Sequence, residues 1–125
     1  MNHKTAVSCW MIVCCGLLSS CGGPKLDKSI ELRAQAQKAI TSGDTTKAIR
    51  VLTESLEHTP DAGAFLERAR VYVDLANDDM ARDDCEKALE LDPNNQDVKW
   101  LLDQLAKPKE KRFQGAGAQP PSHGK

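Results

Sequence analysis

The sequence predicts an all-α protein, a short α-solenoid of two helix pairs followed by a C-terminal capping helix. Aromatic residues make up only 4% of the 125 residues, so a core must be built from Leu, Ile, Val and Ala. That composition favours helices over sheets. Small, apolar and proline residues also recur at a spacing of 33 residues. Between these positions, apolar residues follow the three-and-four spacing of amphipathic helices.

The repeat is visible in six pairs of positions. Both members of each pair are small, apolar or proline, and recurrence at one fixed spacing indicates a repeat architecture. Each repeated unit is predicted to be two amphipathic helices that pack against each other. The pairs are Ala36/Ala69, Ala48/Ala81, Leu52/Cys85, Ser55/Ala88, Leu56/Leu89 and Pro60/Pro93.

The first unit is predicted to contain helices over about 26–42 and 45–58. Gly43 ends the first helix, since glycine readily takes a positive φ. Asp44 or Thr45 caps the second helix. The residues expected to face inward are Ile30, Ala36, Ala39 and Ile40 on the first helix and Ala48, Ile49, Leu52 and Leu56 on the second.

The second unit is predicted to contain helices over about 62–76 and 78–91, separated by Asn77. A turn at 92–95 follows, and then a capping helix at about 95–106 that covers the exposed flank of this unit. The residues expected to face inward are Phe65, Leu66, Ala69, Tyr72 and Val73, then Met80, Ala81, Cys85, Ala88, Leu89 and Leu91, then Val98, Leu101, Leu102 and Leu105.

This pattern is similar to that of the tetratricopeptide repeat, over repeats of about 29–61 and 62–95. The ending "KALELDPNN" is close to the helix end and turn typical of the family, and small residues at 36 and 69 let paired helices approach closely. Gln35, Ala39 and Arg68 depart from the family pattern, as does a period of 33 instead of 34. The family's marked positions fall on Leu32, Gln35, Ala36, Ala39, Ala48, Leu52, Ser55 and Pro60, then on Phe65, Arg68, Ala69, Tyr72, Ala81, Cys85, Ala88 and Pro93.

The resemblance also implies a binding surface, because the first helix of each repeat in this family lines a concave groove. Two arginines between aliphatic residues there suit an extended protein segment with apolar and acidic side chains; the alternative is that these side chains are only solvated. Glu67 stands where the carboxylate-clamp subtype expects an amide. Trp100 is either a core-edge residue or an exposed anchor. The groove positions are Arg33, Gln37, Ile40, Leu66, Arg70, Val73 and Asp74.

The start of the chain resembles a bacterial lipoprotein signal. Lys4 precedes an apolar stretch of thirteen residues, 6–18, which is shorter than the roughly 20 residues of a membrane-spanning helix. "Leu18-Ser19-Ser20-Cys21" resembles a lipobox. The resemblance implies a signal peptide over 1–20, acylation of Cys21 and a tether over 21–26.

Acylation of Cys21 would hold the protein in the bacterial cell envelope, facing the periplasm. Several acyl chains anchor a protein durably, whereas one holds only marginally. Gly22, in place of Asp, favours the outer membrane. An uncleaved anchor helix and ordinary cleavage without lipid are the alternatives. After cleavage only Cys85 keeps a free thiol, so an intramolecular disulfide is not expected.

The charge is divided between the body and the C-terminal end. Residues 27–106 hold 10 Lys/Arg and 17 Asp/Glu, a net charge of −7, whereas residues 107–125 hold 5 basic residues and 1 acidic residue, a net charge of +4. An acidic body argues against a nucleic-acid-binding domain. The basic segment 107–125 is expected to be a disordered, solubilising tail, with contact to anionic lipid or nucleic acid as the alternative.

Catalytic and metal-binding patterns are not apparent in the sequence. His58 stands alone at a predicted helix end, and the four aspartates of 77–84 lack the alternating spacing and glycine of a calcium loop. They are expected to cap a helix and interact with its dipole. We therefore expect a non-enzymatic, membrane-anchored scaffold without cofactors that binds a protein or peptide partner, or alternatively a self-associating structural subunit.

Overall fold

The computed structural model describes residues 24–112, with side chains from residue 27 onward. This part of the chain is helical and contains no strand, which confirms the predicted all-α solenoid. The predicted helix bounds are met to within two residues. The elements are α1 Pro24–Thr41, α2 Thr45–His58, α3 Ala62–Asp74, α4 Asp78–Leu91, α5 Gln96–Ala106 and the short 3-10 helix η1 Lys109–Lys111.

Consecutive helices pack side by side and run in opposite directions. The main contacts are α1 on α2, α2 on α3, α3 on α4 and α4 on α5. Because the connections are only a few residues long, each helix starts beside the end of the one before it. The starts of α1, α3 and α5 therefore lie with the ends of α2 and α4 at one edge, which we call the lower edge. The opposite ends form the upper edge.

Four helices begin with a side-chain cap. The side chains of Asp44, Asp61, Asn77 and Asn95 each accept a hydrogen bond from the backbone N–H three residues later, at 3.0, 2.9, 3.4 and 3.2 Å. Such bonds satisfy backbone donors that the helix itself leaves unpaired. Since each cap directly precedes a run of apolar spacing, the starts of α2 to α5 follow from local sequence.

The first helix of each repeat ends in the same way, in a left-handed residue. Gly43 has φ +77° and Ala76, 33 residues later, has φ +57°. At both places the next N–H, of Asp44 or Asn77, bonds the carbonyl five residues back, at 2.9 and 2.8 Å. This is the Schellman arrangement, in which glycine is strongly preferred. Ala76 therefore carries a backbone strain that Gly43 avoids.

The core depends on small residues at the helix crossings. Alanine side chains at the crossings are fully buried, so the helices approach closely. α3 also contributes Ala64 and Val71 to clusters formed mainly by α1 and α2. The buried apolar residues are Leu32, Ala36, Ala39, Ala48, Val51, Leu52, Ala64, Leu66, Ala69, Val71, Ala81, Cys85, Ala88, Val98, Leu101 and Leu105.

Three residues expected to face inward are instead exposed. Ile30 is 60% exposed, because the buried face of α1 runs through Ser29, and the hydroxyls of Ser29 and Ser55 lie 3.0 Å apart. Met80 and Leu91 are 40% and 50% exposed. They lie near the two ends of α4, where the side chains extend past the neighbouring helices.

The tail begins later than predicted. Residues 107–112 are ordered through η1 and the contacts of Arg112, so the expectation of disorder is wrong for this stretch. The remaining tail, 113–125, lies outside the described residues, as do the predicted signal peptide, 1–20, and Cys21. Of the helices within 24–112, none has the length and apolarity needed to cross a bilayer.

Candidate functional site

The candidate binding surface is the face formed by α1, α3 and α5. Its most prominent feature is a row of charged side chains across the three helices: Arg33 on α1, Glu67 and Arg70 on α3, and Asp97 on α5. We call these four residues the charge row. Opposite charges alternate along it, and the two arginines differ sharply in how firmly they are held.

Arg33 is held by two carboxylates of the next repeat. Its Nη2 donates to Glu67 Oε1 at 2.7 Å, and its Nη1 lies 3.1 Å from Asp61 Oδ2. These partners raise the pKa of Arg33. The guanidinium also lies against Gly63, where an added Cβ would come within 3.0 Å of Nη2. Arg33 therefore joins α1 to the start of α3, a role that the sequence did not predict.

Arg70 is held less firmly. Its Nη2 lies 3.6 Å from Asp97 Oδ2, beyond hydrogen-bonding distance, and the side chain of Asp97 is 51% exposed. Arg70 Nε is buried without a hydrogen-bond partner, as is Glu67 Oε2. A buried polar atom that lacks a partner costs free energy. Arg33 Nε is likewise buried without a partner, and all three atoms are shielded from solvent.

The remaining predicted groove residues differ in how far they are exposed. Gln37 and Asp74 are exposed, and partial burial raises the pKa of Asp74. Ile40 and Val73 are half-buried against the core. Leu66 is only 6% exposed and belongs to the core cluster of the second repeat. Its predicted place in the groove is therefore wrong, because α3 turns that side chain toward α4 and α5.

Trp100 lies at the α5 margin of this face. It is half-buried and packs against the core cluster of the second repeat. This placement confirms the core-edge interpretation. The indole nevertheless stays partly accessible, and it lies one turn along α5 from Asp97, at the i, i+3 spacing of residues on one helix face.

A buried ion pair inside the second repeat, linked to the first repeat by one hydrogen bond to Thr53, was not foreseen. Arg68 Nε and Nη2 donate to the two carboxylate oxygens of Asp84, each at 2.7 Å, and Arg68 Nη1 donates to Thr53 Oγ1 at 2.9 Å. Asp84 is 1% exposed, although it was expected at the helix surface. The guanidinium also lies 5.7 Å from the centre of the Phe65 ring. The one signal in the sequence was Arg68 itself, which departs from the family pattern.

Cys85, the residue after Asp84, is fully buried. Burial raises the pKa of its thiol to about 12, with the Asp84 carboxylate as a further cause. The thiol is therefore protonated at neutral pH and is not a nucleophile. Within residues 24–112, His, Cys, Asp and Glu side chains do not gather in groups of three that could hold a metal ion.

A second unforeseen contact fastens the C-terminal end. Arg112 Nη1 and Nη2 donate to the two oxygens of Asp78, each at 2.9 Å, and Arg112 Nε donates to the carbonyl of Lys107 at 2.9 Å. The hydrogen bond from Arg112 lowers the pKa of Asp78. We call this contact the C-terminal clasp. It joins the end of α5 to the start of α4 at the upper edge.

Comparison with known proteins agrees with this architecture. Residues 62–95, which form α3, α4 and the turn after them, match the tetratricopeptide repeat family. A stretch of 70 residues is 43% identical to part of sperm-associated antigen 1 of Mus musculus. It covers 56% of this chain and 8% of the relative. A stretch of 69 residues is 38% identical to part of heat shock protein sti1 homolog of Schizosaccharomyces pombe. It covers 54% of this chain and 12% of that relative. The chain thus spans only a small part of either relative. The match of residues 62–95 and the helices of residues 24–112 agree with an all-α fold of the tetratricopeptide-like solenoid type.

Proposed function

We propose that this protein is a lipid-anchored scaffold of the bacterial cell envelope whose repeat domain binds another protein. Tetratricopeptide repeats imply protein–protein interaction, and the match of residues 62–95 is the observation that carries the proposal. The anchor is supported by the residues before α1 alone, where Cys21 follows a lipobox-like sequence. The absence of Asp at residue 22 favours the outer membrane over the inner one.

The charge row supports a binding mode. An acidic group of the partner can replace the distant, exposed Asp97 as the counter-ion of Arg70 and can accept a hydrogen bond from its guanidinium. Charge-assisted hydrogen bonds of this kind orient a ligand strongly. Val73 and Trp100, both half-buried, provide apolar contact nearby. The proposed ligand is therefore an extended protein segment with a carboxylate next to an apolar side chain.

Arg33 has a different role in this proposal. Its two short contacts to Glu67 and Asp61 hold the repeats together, so it does not serve as a binding arginine. Binding is therefore centred on α3 and α5, a narrower region than the seven residues predicted from sequence.

Crosslinking of the native lipoprotein in membranes, followed by mass spectrometry, tests the binding proposal. Arg70→Glu should abolish the crosslink to the partner, because it places a second carboxylate beside Asp97. The matched control is Arg50→Glu, which makes the same charge change at an exposed position of α2. Equal loss of the crosslink in both variants, or its retention in Arg70→Glu, would contradict the proposed site.

The anchor is tested separately. Mass spectrometry of the N-terminal peptide should find acyl chains on Cys21, and Cys21→Ser should move the protein from the detergent phase to the aqueous phase. If the substitution leaves the partition unchanged, the lipoprotein proposal is wrong, whatever the outcome for Arg70.

A further inference from the structure

We propose that the lower edge of the solenoid lies against the lipid surface, with the exposed side chains of Ile30 and Leu91 in contact with it. The inference rests on the proposed acylation of Cys21. It concerns helix ends that adjoin the charge row, since Ile30 lies one turn before Arg33 on α1 and Asp97 lies near the same edge.

The length of chain between the anchor and the fold limits the possible orientations. α1 begins at Pro24, so only Gly22 and Gly23 separate it from Cys21. A fully extended chain spans at most about 3.6 Å per residue, so the first residue of α1 stays within about 11 Å of Cys21. The start of α1 is part of the lower edge, which is therefore the part of the domain held closest to the bilayer.

Two large apolar side chains are exposed near this edge. Ile30, the seventh residue of α1, is 60% exposed, and Leu91, the last residue of α4, is 50% exposed. At a rise of about 1.5 Å per residue, Ile30 lies about 9 Å along the helix from Pro24. Each apolar side chain that leaves water contributes favourably to membrane contact. A lipid interface thus provides a partner for both exposed side chains.

Charge indicates which lipid surface fits. Asp27, Glu57, Glu90 and Asp97 are exposed near the same edge, and carboxylates are repelled by anionic headgroups. The contact is therefore shallow and suits a zwitterionic surface. It should weaken as anionic lipid is added.

This orientation has a consequence for the partner. α1 is about 27 Å long, so a tilt that brings Ile30 to the lipid still leaves the upper edge away from it. The charge row crosses α1, α3 and α5, and its Arg33 lies one turn beyond Ile30. A segment bound along it would therefore lie close to the bilayer. The C-terminal clasp lies at the upper edge, so Arg112 is on the side away from the membrane.

The orientation can be tested by fluorescence quenching with the acylated protein in phosphatidylcholine vesicles. A fluorophore is placed on Leu91→Cys and, as the matched control, on Leu75→Cys, because these leucines are 50% and 49% exposed but lie at opposite edges. Native Cys85 is fully buried and does not compete for the label. Spin-labelled lipid should quench the fluorophore at 91 at least threefold more than the one at 75.

The lipid composition, the comparison of the two positions and the acylation of Cys21 each provide a test. Quenching at 91 should fall when half of the lipid is phosphatidylglycerol. Equal quenching at 91 and 75, with acyl chains found on Cys21, would overturn the orientation and leave the proposed anchor intact. An unacylated Cys21 would overturn the anchor, and the orientation with it.

Discussion

Replacing Asp84 by Ala should strongly destabilise the domain, because Arg68 would keep its charge in a site that is closed to water. The side chains of Arg68 and Asp84 are 12% and 1% exposed, and two hydrogen bonds of 2.7 Å join them. Removing one partner of such a pair costs about 3–5 kcal/mol. A small repeat domain has a total stability of roughly 5–10 kcal/mol. Asp84→Ala should therefore remove from about a third to all of it.

The measurement is urea unfolding of residues 24–112, followed by circular dichroism. Asp103→Ala is the matched control, since it removes a carboxylate whose 2.6 Å contact to Lys107 is exposed, and it should cost less than about 0.5 kcal/mol. Replacing both members of the buried pair, as Arg68→Met with Asp84→Leu, should recover most of the loss. Thr53→Ala, which removes one bond to Arg68, should cost about 1 kcal/mol and provides a measurement if Asp84→Ala does not fold.

Either of two results would contradict an unpaired buried charge as the cause. If Asp84→Ala costs less than about 1 kcal/mol, the carboxylate does not compensate a buried charge. If the double apolar variant costs as much as the two single changes together, the loss comes from cavities and not from an unpaired charge.

Three other predictions follow from local geometry. Both turns need a positive φ, which glycine adopts more easily than alanine. Ala76→Gly should therefore raise the free energy of unfolding by about 1 kcal/mol in the same urea assay, and Gly43→Ala should lower it by a similar amount. A change of the opposite sign in either variant would contradict this. Cys85 should not react with iodoacetamide at pH 8 in the folded protein and should react fully in urea, since burial raises its pKa to about 12; rapid labelling of the native state would refute the buried thiol. Arg112→Ala should cost at most about 1 kcal/mol at neutral pH. Arg112 lowers the pKa of Asp78 below 3.8. The ion pair therefore stabilises the fold above pH 3.8, and this stabilisation is lost as the pH falls through the lowered pKa. If Arg112→Ala costs as much in strong acid as at neutral pH, the ion pair is not the cause.

Helix positions were predictable because the residues at the helix ends determine where each helix starts and stops. Gly43 at a left-handed turn and Asp61 or Asn95 at a helix start act within a few residues, so their effect does not depend on the rest of the fold. The 33-residue recurrence of alanines then gave the pairing of the helices, since close crossings need small side chains.

The rotation of each helix was less predictable. Ile30 is apolar and Ser29 polar, yet Ser29 is buried because Ser55 provides a hydroxyl partner across the crossing. Only the three-dimensional pairing of α1 with α2 brings these two together. Ser29 and Ile30 lie about 100° apart around the helix. Apolar spacing alone favoured Ile30 as the buried one, because it takes no account of the hydroxyl partner of Ser29.

The candidate site was predicted in part, for a similar reason. The resemblance placed Arg33 and Arg70 on the face of α1, α3 and α5, but a linear pattern does not show which carboxylates reach each arginine. Glu67 and Asp61 contact Arg33 at 2.7 and 3.1 Å, so Arg33 is not proposed to bind the partner. Asp97, from a different helix, lies 3.6 Å from Arg70, beyond hydrogen-bonding distance. The Arg68–Asp84 pair was missed because it joins positions that carry no paired signal in the sequence.

The way in which α3 shares its side chains sets how the domain unfolds. Ala64 and Val71 complete the clusters of the first repeat, while Leu66 and Ala69 belong to the second. Neither repeat can lose α3 without exposing its own interior. Long repeat arrays lose cooperativity because each unit contacts only its neighbours, but with two repeats and a shared central helix the whole domain should melt in one transition. A cut between α2 and α3 would leave the first repeat without Ala64 and Val71, which complete its clusters.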